Sequence, residues 1–100
     1  MRVLLSDEAQ HDIQKILEYL SEFGDNPPKK FREDFKTFRR QVSAIPHMFN
    51  KFRYNPRFRV SVILYDYLVF YEVMDKHIEV YRVLHSKRIK AMPMLEDSDG

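Results

Sequence analysis

The side chains able to do chemistry gather in the second half of the chain. Arg57 and Arg59 open one predicted strand, Arg82 and His85 close another, and Lys87 and Arg88 follow directly. Arginine and lysine stabilise developing negative charge, and histidine, tyrosine or lysine can carry a proton. On antiparallel strands Arg59, Arg82, His85, Lys87 and Arg88 would converge on the sheet face opposite any covering helices. Arg82 and His85 have opposite parity, however, so an unbroken strand points them to different faces. His85 reads equally well as a hydrogen-bonded structural residue at a strand end.

Other chemistries find little support. The chain has no cysteine, which removes disulfide scaffolds and thiolate metal sites. His11, His47, His77 and His85 are scattered without metal-ligand spacing, so neither a metal nor another cofactor is expected. Ser61 and Ser86 sit in no nucleophile motif, and there is no glycine-rich phosphate loop.

A second set of candidates comes from charge. The net charge is only +2, yet residues 29–59 carry ten lysines and arginines against Glu33 and Asp34, a balance of +8. Arg39, Arg40, Arg53 and Arg57 in this third are candidates for holding a polyanion or an acidic protein segment. A solvated helix face is the plainer alternative. Phe52, Tyr54, Phe58 and Tyr81 lie near arginines and could stack bases, although a core this small needs most of its aromatics for packing.

These residues are positioned by a strand-rich half and a helical half. Phe58, Val60, Val62 and Leu64 share one parity, and Arg57, Arg59 and Ser61 the other, which is the period of a two-faced strand. Tyr67–Met74 is almost wholly apolar and reads as a central strand, and Ile78–His85 alternates again. The intervening turns are too short for a crossover, so these three strands form an antiparallel meander. Arg2–Leu5 is an edge strand.

Ser6 or Asp7 caps a first helix with Ala9, Ile13, Ile16, Leu17 and Leu20 on one stripe, stopped near Gly24. Asn26 caps a second, with Pro27 in its first turn and Phe31, Phe35, Phe38, Val42 and Ile45 on its stripe, ended by Pro46. The expectation is an α+β fold of order β-α-α-β-β-β: an antiparallel sheet of about four strands with a helical hairpin on one face. One domain spans residues 1–90, and residues 91–100 form an acidic, frayed tail. No apolar run reaches the length of a membrane span, and a soluble, cytoplasmic protein is expected.

The strand Tyr67-Leu68-Val69-Phe70-Tyr71, an acidic turn, and Ile78-Glu79-Val80-Tyr81-Arg82-Val83-Leu84-His85-Ser86-Lys87-Arg88 resemble the signature of the RelE/ParE superfamily of toxins. Upstream, the spacing of Ala9, Ile13, Ile16 and Tyr19 is similar to that family's A-x-x-D-[IL]-x-x-I-x-x-Y stretch. The resemblance covers roughly residues 1–90. It implies the toxin of a type II toxin–antitoxin pair, with a cognate antitoxin that wraps and neutralises it in a hetero-oligomer.

The superfamily works by two routes. RelE-like members cut mRNA in the ribosomal A site without a metal, whereas ParE-like members act on DNA gyrase and are not nucleases. RelE-like nucleases carry an arginine where this chain has Leu68, which removes one expected phosphate contact. The V-L-H-S-K-R ending looks ParE-like, although Ile89 stands where that family usually has an acidic residue. The resemblance therefore favours action on gyrase over ribosome-dependent mRNA cleavage. A non-catalytic nucleic-acid or protein binding module, or an inactive toxin, is the remaining alternative.

Overall fold

The computed structural model describes residues 1–91, so the expected acidic tail lies, but for its first residue, outside the described residues. The elements run β1 (Arg2–Leu5), α1 (Asp7–Ser21), α2 (Asn26–Ala44), β2 (Arg59–Ile63), β3 (Tyr67–Val73), β4 (His77–His85) and a closing 3-10 turn over Ser86–Ala91. The α+β class and the β-α-α-β-β-β order are those read from the sequence.

Local chemistry sets the helix limits. Ser6 is the α1 cap, its Oγ accepting from the Ala9 N–H at 3.0 Å. Gln10 Nε2 donates to the Leu5 carbonyl at 3.2 Å. In α2 the cap falls on Asp25, one residue before Asn26, and the prolines occupy the first turn, where no N–H is needed. Phe31, Phe38 and Val42 point into the core and are almost fully buried. Burying an apolar side chain of this size contributes about 1.5–3 kcal/mol. The α2 stripe therefore holds the helix down far more strongly than its caps do.

The sheet order is β1-β4-β3-β2. The three hairpin-linked strands pair antiparallel, but β1 joins β4 in parallel, with Arg2 opposite His77 and Leu5 opposite Val80. A short turn forces neighbours to reverse, whereas the long connection from β1 to β4 leaves direction free. The sheet is thus mixed rather than wholly antiparallel.

The edge of β1 is closed by side chains. Ser43 Oγ donates to the Met1 carbonyl at 2.6 Å and Arg39 to the Val3 carbonyl at 3.1 Å, in line with Gln10 on Leu5. Blocking these acceptors protects an exposed edge from pairing with another chain.

Both sheet faces are packed. Tyr67, Val69, Tyr71, Ile78, Val80 and Val83 meet the two helices. On the other face Phe58, Phe70 and Leu84 form a small second core with Phe52, which belongs to the loop between α2 and β2. Phe52 and Phe58 are therefore structural, and Tyr81 stacks on Phe58 with ring centroids 4.8 Å apart.

One irregularity matters for the site. Phe70 pairs with Arg82 but Tyr71 with Val80, so Tyr81 is an extra residue on β4. This β-bulge resets the alternation. Val80 and Val83 then both face the helices, and His85 lies opposite Tyr67.

Candidate functional site

The cations grouped by sequence do not converge on one face; the structure divides them. Arg59 pairs with Tyr71, and His85 with Tyr67. Four rungs of β3 separate those positions, about 13 Å at ~3.3 Å per residue. Arg59 Nη1 donates to the Phe49 carbonyl at 2.8 Å and approaches that of His47 at 3.4 Å. With the Tyr71 hydroxyl, which donates to the Pro46 carbonyl at 2.9 Å, it ties the loop after α2 to the sheet. Arg59 is a structural anchor here, remote from His85.

Arg82 is likewise held in place. Its Nε and Nη2 donate to the two carboxylate oxygens of Asp12 on α1, at 2.7 and 2.9 Å, and Glu8 lies 3.8 Å from Nη1. Both side chains of the Arg82–Asp12 pair are only 11% exposed. Asp12 also accepts the Val83 N–H at 3.0 Å, directly beyond the bulge. The bond to Asp12 raises the Arg82 pKa further above its ordinary value against the opposing effect of burial, so the guanidinium stays charged. A bidentate pair of this geometry fixes the bulge, and with it the position of His85.

Sequence reasoning missed Asp12 as a site residue. The available signal was its position: it is the aspartate of the A-x-x-D-[IL] stretch that brackets Ala9 and Ile13.

The binding candidates scatter too. Arg39 caps β1, and Arg40 reaches only Thr37 Oγ1 at 3.4 Å. Arg57 pairs with Glu72 at 3.1 Å and lies over the Phe58 ring. Arg53 lies over the Tyr54 ring at 5.0 Å. Arg40 and Arg53 make no ion pair among the described residues.

What the fold does bring together is a groove of about 430 Å³ between the second half of α1 and the end of β4. Lys15, Ile16 and Tyr19 form one wall, and Tyr67, His85, Lys87 and Arg88 the other. The His85 ring meets Tyr67 edge-on at 5.2 Å, its Nδ1 accepts the Lys87 N–H at 3.1 Å, and its Nε2 lies 3.9 Å from Asp66. That bond assigns the ring proton of neutral His85 to Nε2. Burial first, then the nearby Tyr19 and Asp66, raises the Tyr67 pKa above 10.0, so it is a neutral phenol at pH 7. Lys15, Lys87 and Arg88 make no ion pair among the described residues. Among the described residues no group of three or more His, Cys, Asp or Glu could hold a metal ion.

A helical hairpin on a mixed four-stranded sheet, with a groove lined by Lys15, Lys87 and Arg88 at one end, defines a small α+β protein. The family model for the ParE toxin of the type II toxin–antitoxin system parDE matches residues 3–90, and the chain belongs to that family. Among solved structures, a chain of the chromosomal ParDE toxin–antitoxin system from P. aeruginosa superposes with a TM-score of 0.61 at 16% identity. The match covers 85% of this chain and 95% of that one, and shows a shared fold. No curated protein sequence matches significantly. Among the described residues, no helix is long and apolar enough to cross a membrane.

Proposed function

We propose that this toxin arrests growth through DNA gyrase rather than by cutting mRNA, and that a cognate antitoxin neutralises it. The observation that carries the choice is the fate of the two arginines best suited to a phosphate. Arg82 is locked to Asp12 and Arg59 to loop carbonyls, and Leu68, opposite Leu84 and Val62, adds no charge to the sheet. An anionic phosphorane needs preorganised cations aimed at it, and these two are aimed elsewhere. The groove with His85, Lys87 and Arg88 then serves as a contact surface for the target.

One feature favours the ribonuclease as second reading. His85, Lys15, Lys87 and Arg88 share one groove, a set able to hold a phosphate and move a proton. Inducible expression in a bacterial host, with pulse labelling of DNA and protein synthesis, separates the two. Early loss of DNA synthesis with an SOS response supports gyrase. Early loss of protein synthesis supports mRNA cleavage and contradicts the proposal.

For the antitoxin, an apolar cleft lined by Ile13, Phe31 and Phe35 and rimmed by Arg32, Lys36 and Arg39 favours an apolar segment with acidic flanks. Reversing Arg32 and Lys36 together should weaken the complex at least tenfold, measured by calorimetry. An unchanged affinity would remove the electrostatic part of this reading.

A further inference from the structure

The turn joining β2 to β3 is built against the preferences of its own residues. Leu64 and Tyr65 both have positive φ, 44° and 70°, a region that favours glycine and tolerates asparagine. The Asp66 N–H closes back on the Leu64 carbonyl at 2.8 Å, which makes a tight three-residue turn centred on Tyr65. A turn of this kind with positive φ is rare and strained. Two clamps hold it: Asp34 on α2 accepts the Leu64 N–H at 3.1 Å, and Ser86 donates its N–H to the Asp66 carbonyl at 2.7 Å.

Packing explains Leu64, whose side chain lies against the main core. It does not explain Tyr65. That side chain is 88% exposed and makes no ring contact among the described residues, although glycine or asparagine would relieve the backbone. The turn also adjoins the candidate groove, since Asp66 faces His85 and its carbonyl holds Ser86, next to Lys87 and Arg88.

We infer that Tyr65 is the anchor with which the toxin grips a protein target, entering an apolar pocket while Lys87 and Arg88 meet an acidic rim. The inference rests on the proposed reading of this end of the sheet as the toxic surface. Tyrosine suits such a role because it offers a large, rigid apolar area with a polar tip, and aromatic anchors dominate protein interfaces. A nucleic-acid partner fits less well, because the carboxylate of Asp66, the next residue in the chain, is 61% exposed.

The test compares wild type with Tyr65→Gly and Tyr65→Phe in growth inhibition on induced expression, thermal stability of the purified toxin, and anisotropy with a labelled single-stranded oligonucleotide. Tyr65→Gly should raise the melting temperature by several degrees yet reduce killing at least a hundredfold, and Tyr65→Phe should match wild type in both. A Tyr65→Gly variant that kills as wild type does, or that melts lower, overturns the anchor, as does a harmless Tyr65→Phe. Oligonucleotide binding lost in Tyr65→Gly and kept in Tyr65→Phe overturns the protein partner. A harmless wild type overturns this inference and the proposed function together, whereas a toxic Tyr65→Gly overturns the anchor alone.

Discussion

Replacing Asp12 by alanine removes three hydrogen bonds at once, two from Arg82 and one from the Val83 N–H. The guanidinium would then lose its bidentate carboxylate at a site where its side chain is 11% exposed, with Glu8 3.8 Å from Nη1. Breaking a buried pair from one side costs about 3–5 kcal/mol, and the orphaned Val83 N–H is counted within that range because the bonds act as one network. Against a total stability of about 5–15 kcal/mol, this is a large fraction. Each kcal/mol moves the midpoint by about 4–8 °C in a domain this size, so a fall of roughly 12–40 °C is expected. Circular dichroism followed through heating and through urea titration measures it. The double variant Asp12→Leu/Arg82→Met replaces the pair by apolar groups and should recover most of the loss. A loss below about 1 kcal/mol for Asp12→Ala, or no recovery in the double variant, would refute the clamp.

Three further outcomes follow from the same contacts. Arg59→Ala should destabilise by about 1.5–3 kcal/mol through the freed loop carbonyls, yet leave toxicity intact at temperatures where the variant stays folded. Lys87→Ala/Arg88→Ala should change stability by less than about 0.5 kcal/mol, because both side chains are exposed, while toxicity falls; equal toxicity would disconnect the groove from function. Tyr67 and Tyr71 both have pKa values raised above 10.0, chiefly by burial, so the folded state holds their protons more tightly than the unfolded chain. Stability from this source is complete below about pH 10 and is lost as pH climbs from there through the folded values. Melting temperatures should therefore drop on alkaline titration, and less steeply in Tyr67→Phe.

The sequence carries the order of elements because each rests on a local signal. Ser6, Gly24, Pro27 and Pro46 punctuate the helices, and short turns force β2, β3 and β4 to alternate in direction. The direction of β1 carries no such signal, since nothing nearby constrains it. The bulge at Tyr81 is hidden for a related reason. Arg82 breaks the alternation of apolar residues, and only pairing with β3 shows where the extra residue sits.

The site is less legible than the fold. Asp12 and Arg82 are 70 residues apart, so their contact is a product of tertiary structure, and residue type alone makes Arg82 look like a free cation. Arg59 misleads in the same way, since its partners are backbone carbonyls that any sequence would supply. His85, Lys87 and Arg88 are adjacent in the chain, and their proximity survives folding. Tyr65 gives no signal in the sequence, because exposure and positive φ are not written in the residue itself.

The most direct measurement adds purified toxin to two reconstituted reactions, DNA supercoiling by gyrase and translation of a defined mRNA on ribosomes. Supercoiling should be inhibited at toxin concentrations comparable to gyrase, Lys87→Ala/Arg88→Ala should abolish the effect, and the mRNA should stay intact. Cleavage of ribosome-bound mRNA with supercoiling unaffected would contradict the proposed action on gyrase, and would return Arg82 and His85 to the list of catalytic candidates.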